Sequence, residues 1–166
     1  VNRYPDPHQK ELKQRIAALK GVREEQVFIG NGSDEAIDLA YRIFCRPGTD
    51  NAVSIAPTYG MYRVAADIND VEMREVPLGA DFSLPTDALL AAADERTRLL
   101  WLCSPNNPTG NAFPAAGIER LLREFIMPDT FSAISISSEG SGGFAGSTGS
   151  CSASGMTAAS GSPVNV

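Results

Sequence analysis

From Gln9 to Phe125 the apolar positions of this chain switch repeatedly between a helical period and short continuous runs. Leu12, Ile16 and Leu19 share one face of a helix expected from about Gln9 to Lys20, with Gly21 as its stop. Gln26 to Gly30 reads as a short strand. Ile37, Ala40, Tyr41 and Phe44 form the buried stripe of a second helix, capped by Ser33 or Asp34 and ended near Cys45 by Pro47-Gly48. Ala52–Ala56 is the next strand, followed by a helix from Tyr59 to Ile68, a strand from Val71 to Val76 and a helix from Thr86 to about Ala93. The apolar run Leu99–Cys103 reads as a buried strand. The helix from Pro114 to about Glu124 turns Ile118, Leu121, Leu122 and Phe125 inward.

Helix and strand in alternation predict an α/β fold, a mostly parallel sheet with helices on both faces. The alternation then calls for another buried strand, and the composition argues against one. From Ser132 to Ser162 more than half the residues are Ser or Gly, Lys and Arg are absent, and Glu139 is the only charge. Such a stretch removes too little apolar area from water to offset the entropy of ordering its backbone. The expected organisation is therefore an incomplete α/β domain over 1–125 and a Ser/Gly-rich tail over 126–166, disordered or, given how abruptly the pattern changes, read out of frame from near Ile126.

With 166 residues, 43% of them apolar, the chain has the material for one domain with a real core. The net charge of −6, with three lysines and eleven arginines dispersed along the chain, argues against a nucleic-acid surface. No apolar run approaches the roughly 18 residues of a membrane-spanning helix. The start, Val1-Asn2-Arg3-Tyr4, has no signal pattern, so a cytoplasmic location is expected. Cys45, Cys103 and Cys151 are odd in number and lack metal-ligand spacing, which predicts core thiols at Cys45 and Cys103 and no metal site.

Three loop motifs carry candidate chemistry. Gly30-Asn31-Gly32-Ser33-Asp34-Glu35 joins a strand to a helix, so the N–H groups of Gly32, Ser33 and Asp34 lie at a helix N-terminus, where a phosphate is favoured. Taken alone this is a common structural turn. It is neither a Walker loop nor a dinucleotide fingerprint. Pro57-Thr58-Tyr59 opens the following helix just past a strand, placing the Tyr59 ring at the carboxyl edge of the sheet, either packed between helix and sheet or stacked on a planar heterocycle. Ser104-Pro105-Asn106-Asn107-Pro108-Thr109-Gly110 leaves the buried strand as a loop held by prolines that presents an Asn amide.

Taken in order, Asn2-Arg3-Tyr4-Pro5-Asp6-Pro7 and these three strings, with Pro57-Thr58-Tyr59 continuing to Gly60-Met61-Tyr62, resemble the fold-type I pyridoxal-phosphate-dependent aminotransferases, most of all the histidinol-phosphate aminotransferase family. The likeness covers about residues 1–125, a little under the first half of a family member, without its N-terminal arm. It implies pyridoxal 5'-phosphate as cofactor, its phosphate held by Gly32, Ser33 and Asp34, its ring stacked on Tyr59 and its phenolic oxygen bonded to Asn107. It implies a homodimer in which Tyr4 reaches across to the neighbouring cofactor phosphate. The implied reaction moves an amino group between L-histidinol phosphate and 2-oxoglutarate. An aromatic aminotransferase, a phosphothreonine decarboxylase relative or a non-catalytic phosphate-binding fragment are the alternatives.

The same resemblance implies residues that have no match here. An Asp for the pyridinium nitrogen and a Schiff-base lysine should follow the Pro114 helix, but no lysine occurs after Lys20, and the surroundings of Asp129 do not fit the acid's motif. An inactive fragment is the expectation for this polypeptide. His8, the only histidine, reads as an exposed residue at a helix start, and Glu24-Glu25 and Asp94-Glu95 read as solvated turns.

Overall fold

The computed structural model describes Tyr4, residues 6–125 and the backbone of two strands at 132–136 and 156–160. In chain order the elements are α1 (Lys10–Lys20), a 3₁₀ turn (Glu24–Gln26), α2 (Ser33–Phe44), β1 (Asn51–Ala56), α3 (Met61–Ile68), β2 (Glu72–Pro77), α4 (Thr86–Ala92), β3 (Thr97–Cys103), α5 (Ala115–Phe125), β4 (Ser132–Ile136) and β5 (Met156–Ser160). They build one five-stranded sheet in the order β2-β1-β3-β4-β5. The first four strands are parallel, and β5 closes the edge antiparallel to β4.

Pleating sorts the central strands onto two cores. Ala52, Leu99, Trp101 and Cys103 point to one face, where they meet Ile37, Ala40 and Tyr41 of α2 and Tyr62, Ala65 and Ala66 of α3. Val53, Ile55, Leu100 and Leu102 point to the other, against Leu89 of α4 and Leu121 and Phe125 of α5. Burying each such Leu, Ile or Phe removes it from water at a gain of about 1.5–3 kcal/mol. On the first face Trp101 stacks on Tyr62, with centroids 4.9 Å apart, and Tyr41 tilts against it at 5.6 Å. The Tyr41 hydroxyl donates to the Tyr62 carbonyl at 2.9 Å, which satisfies a polar group that burial would otherwise strand.

The amino end of the sheet is tied by charge. Asp50 is only 2% exposed and accepts from Arg46 at 2.9 and 3.1 Å, with Arg98 at 3.5 Å. Next to it, the buried Asn51 donates to Asp94 and accepts from the Thr97 hydroxyl.

Four expectations are corrected. Residues 26–30 form no strand: the 3₁₀ turn leads into irregular backbone, because no described strand lies alongside to complete a ladder. The α1 stripe is not covered, since Leu12 is 50% and Leu19 79% exposed and Ala17 alone is buried. Its helix still ends as expected, at Gly21 in the left-handed conformation (φ 66°). Neither Ser33 nor Asp34 caps α2. Gly32 occupies the cap position, and the Glu35 carboxylate reaches back to accept from the Asn31 N–H. Finally, a strand does follow α5, for β4 pairs parallel with β3 through Trp101–Ile134, Leu102–Ser135 and Cys103–Ile136. Backbone groups on the outer edge of β3 need partners whatever the side chains, and a Ser-rich segment can supply them. Asp129 and the rest of the tail lie outside the described residues, as do Asn2, Arg3 and Pro5. Cys45 and Cys103 are buried free thiols, and burial pushes the Cys45 thiol up to about 12.

Candidate functional site

The strand order places a topological switch point between β1 and β3. After β1 the chain leaves for α3 on one face, and after β3 it leaves for α5 on the other, so the two loops part and open a crevice outside the carboxyl ends of the strands. Open α/β sheets bind ligands in such a crevice. All three loop motifs meet there.

The first wall is the turn into α2. Gly32 has φ 84° and ψ −179°, a conformation only glycine adopts readily. Among the described residues the N–H groups of Gly32, Ser33 and Asp34 have no acceptor, as the first amides of a helix do not. The two carboxylates of this first turn are already engaged. Glu35 is held by the Asn31 N–H, and Asp34 accepts the Tyr59 phenol at 2.8 Å. What remains open is a cluster of amide donors at the positive end of the helix, suited to an anion.

Tyr59 supplies the second wall. Its hydroxyl is anchored on Asp34, and its ring meets Tyr62 edge-on at 5.8 Å, so the side chain is braced between α2 and the aromatic core. The bond to Asp34 holds the Tyr59 phenol above its ordinary pKa, because its ionisation would set two anions together; partial burial acts in the same direction and the Ser33 hydroxyl opposes it. The ring stays neutral at physiological pH.

The third wall is the loop after β3. Asn107 stands exposed on its crest, while Asn106 is 2% exposed beneath it. Asn106 donates to the Pro57 carbonyl at 2.9 Å and to the Thr109 hydroxyl at 2.7 Å, and accepts from the Thr58 hydroxyl at 2.8 Å. The loop closes on itself through Gly110 N–H to the Asn106 carbonyl at 2.6 Å and Phe113 N–H to the Ser104 hydroxyl at 3.1 Å, and Gly110 takes φ 76°. Cys103, the last residue of β3, donates its thiol to the Pro105 carbonyl at 3.3 Å.

The structure therefore gathers Gly32, Ser33, Asp34, Tyr59 and Asn107 around one crevice. Tyr4 is not brought to it and sits fully exposed. Sequence reading passes over Asn106, taking the Asn-Asn pair as one turn; the only local signal is an amide flanked by two prolines, and its burial is a tertiary fact. Among the described residues no group of His, Cys, Asp and Glu could hold a metal ion, and no helix is long and apolar enough to cross a membrane.

A doubly wound sheet whose switch point gathers a turn of free amide donors, a braced tyrosine ring and an exposed Asn amide defines the class as an open α/β protein. The chain belongs to the aminotransferase class I and II family, which matches residues 1–126. That family is one of pyridoxal-phosphate-dependent aminotransferases. The histidinol-phosphate aminotransferase of Bacteroides thetaiotaomicron is 58% identical over 124 residues, covering 75% of this chain and 36% of the relative. The chain thus spans little more than a third of the length of the curated relatives it matches. Among solved structures, N-succinyldiaminopimelate aminotransferase from Mycobacterium tuberculosis is 26% identical with a TM-score of 0.70, over 81% of this chain and 46% of that one. The histidinol-phosphate aminotransferase from Sinorhizobium meliloti, solved in complex with pyridoxal-5'-phosphate, has a TM-score of 0.70 at 24% identity, over 82% of this chain and 36% of that one, and shares the fold. The architecture is part of the large domain of the fold-type I aminotransferases.

Proposed function

We propose that residues 30–110 form the phosphate- and ring-binding face of a pyridoxal 5'-phosphate site in an aminotransferase acting on L-histidinol phosphate and 2-oxoglutarate. The observation that carries this reading is the convergence of the α2 turn, Tyr59 and the Asn106-Asn107 loop at the β1/β3 switch point, tied by the Tyr59–Asp34 bond. The residues fit the group. Unpaired amides of Gly32, Ser33 and Asp34 suit its phosphate, the neutral Tyr59 ring offers a face for its pyridine, and the exposed Asn107 amide can donate to its phenolic oxygen. When bound, that group supplies the electron sink for amino-group chemistry.

The choice of L-histidinol phosphate is supported by the identity to histidinol-phosphate aminotransferases, and 2-oxoglutarate as its partner is part of the same proposal. A homodimer with Tyr4 reaching a neighbouring site, and a cytoplasmic location, belong to the same reading. The polypeptide itself binds and orients without moving the substrate proton. Within residues 1–166 the three lysines, Lys10, Lys13 and Lys20, all belong to α1, and none lies in the loops of residues 30–35, 57–62 and 104–110 to serve as the base.

The test is a spectral titration of the chain with pyridoxal 5'-phosphate, then borohydride reduction and peptide mass spectrometry. Saturable binding that inorganic phosphate competes away, no reduced adduct on Lys10, Lys13 or Lys20, and no amino transfer are expected. Absence of saturable binding overturns the cradle, and a specific lysine adduct overturns the non-catalytic reading.

A further inference from the structure

We infer that Asn106 is a positioning residue that couples the two ring-facing walls of the crevice, holding Tyr59 and Asn107 in register with each other. The ladder between β1 and β3 ends at Ser54–Trp101, where the Ser54 hydroxyl donates to the Trp101 carbonyl at 3.2 Å. Beyond that point β1 and β3 share no further rung, while the opposite edge of β3 stays paired to β4 through Trp101, Leu102 and Cys103. The loops that carry Tyr59 and Asn107 would be free to move apart if strand pairing alone held them.

Asn106 bridges the gap. Its side chain has one carbonyl oxygen and one NH₂, and both are used: two bonds run to Pro57 and Thr58, immediately before Tyr59, and one to Thr109 in its own loop. Its backbone is held independently, N–H to the Asn111 carbonyl at 2.8 Å and carbonyl to Gly110. The amide orientation is dictated by chemistry, since the Pro57 carbonyl can only accept and must therefore face Nδ2. Because Asn106 is buried, breaking the link strands polar groups away from water, so the coupling is stiff. The next residue, Asn107, is displayed from this anchored point.

The substitution Asn106→Asp keeps the shape of the side chain and its capacity to accept from Thr58, but removes the donor to Pro57. The exchange arm of the test is independent of any ligand. Hydrogen exchange is measured on the whole chain, wild type against Asn106→Asp and Asn106→Ala. Both variants are expected to speed exchange about tenfold at the amides of Tyr62 and Val64, at the start of α3, as well as at Gly110, with the strand amides of β1 unchanged. Acceleration confined to residues 106–111, or uniform across the core strands, overturns the coupling. Should the Asn106 variants fail to fold, Thr58→Val removes one bond from the other side, leaving the β3 loop intact. Faster exchange at Gly110 is then expected, and an unchanged Gly110 overturns the inference.

The ligand arm rests on the cofactor reading above. It uses pyridoxine 5'-phosphate, which has no aldehyde to react with lysine, and inorganic phosphate. Asn106→Asp is expected to weaken the former about tenfold and leave the latter unchanged. Equal weakening of both overturns a specific positioning role. If the wild-type chain binds neither, the cofactor reading fails, while the exchange result decides the coupling on its own.

Discussion

Replacing Gly32 by Ala isolates a purely conformational cost at the turn into α2, where the proposed phosphate contacts lie. Gly32 sits at φ 84° and ψ −179°, a region that residues with a Cβ rarely enter, and occupying it costs on the order of 1–3 kcal/mol. Space adds nothing, because a Cβ built there meets no atom within 4 Å. Gly60 is the matched control. It is equally open but has φ −61° and ψ −22°, ordinary helical backbone, so Gly60→Ala should stay within about 0.5 kcal/mol of wild type. Urea unfolding with a common m-value reads the difference as a shift in midpoint. If Gly32→Ala escapes the strain by rotating the turn, the amides of Ser33 and Asp34 swing away and affinity for inorganic phosphate falls even where stability recovers. Gly32→Ala with wild-type stability and wild-type phosphate affinity, or Gly60→Ala as damaging as Gly32→Ala, would refute the reasoning.

Three further outcomes are expected. The Asp50 carboxyl is held down at about 2, first by hydrogen bonding from Arg46 and further by Arg98. The folded value lies below the unfolded one of about 3.9. Its stabilisation is therefore complete above about pH 4 and lost as pH falls through 2; an acid titration followed by Trp101 fluorescence should lose this component in Asp50→Asn, which also costs about 2 kcal/mol at neutral pH. An Asp50→Asn acid transition superimposable on wild type would contradict this. Leu121→Ala, at a fully buried position, should cost about 2–5 kcal/mol in urea unfolding, against about 0.5 or less for the exposed Leu19→Ala; equal losses would mean that the α5 packing is wrong. Tyr59→Phe removes the bond to Asp34 but keeps the ring, so stability should change by less than about 1 kcal/mol and pyridoxine 5'-phosphate affinity by less than about threefold, whereas Tyr59→Ala should cost up to about tenfold in affinity. Calorimetric titration distinguishes the two, and identical losses would remove the stacking role.

Much of this molecule is written in local pattern. The stripe Ile37, Ala40, Tyr41 of α2, the continuous run Leu99–Cys103 of β3 and the stop at Gly21 are legible because helix period, strand burial and a left-handed cap each act over a few neighbouring residues. The row of free amide donors at the turn into α2 is legible for the same reason, since they are consecutive residues. Neighbouring residues say nothing about what lies across a gap. Leu12 and Leu19 have the spacing of a covered face and remain exposed, because covering a helix takes a second surface. The Ser/Gly composition after Phe125 argues against a strand, yet β4 forms, because the open edge of β3 demands backbone partners that side-chain hydrophobicity does not report.

The site divides the same way. Residue order along the chain dictates which chemical groups are present, namely amide donors, a phenol and an Asn amide, and sets each in its own loop. That those loops meet is a property of the folded sheet alone: the strand order brings β1 beside β3, their chains leave on opposite faces, and Asp34 meets Tyr59 across 25 residues of sequence while Asn106 meets Pro57 across 49. Local propensity is a property of neighbours along the chain, whereas convergence is set by the burial of two cores on one sheet.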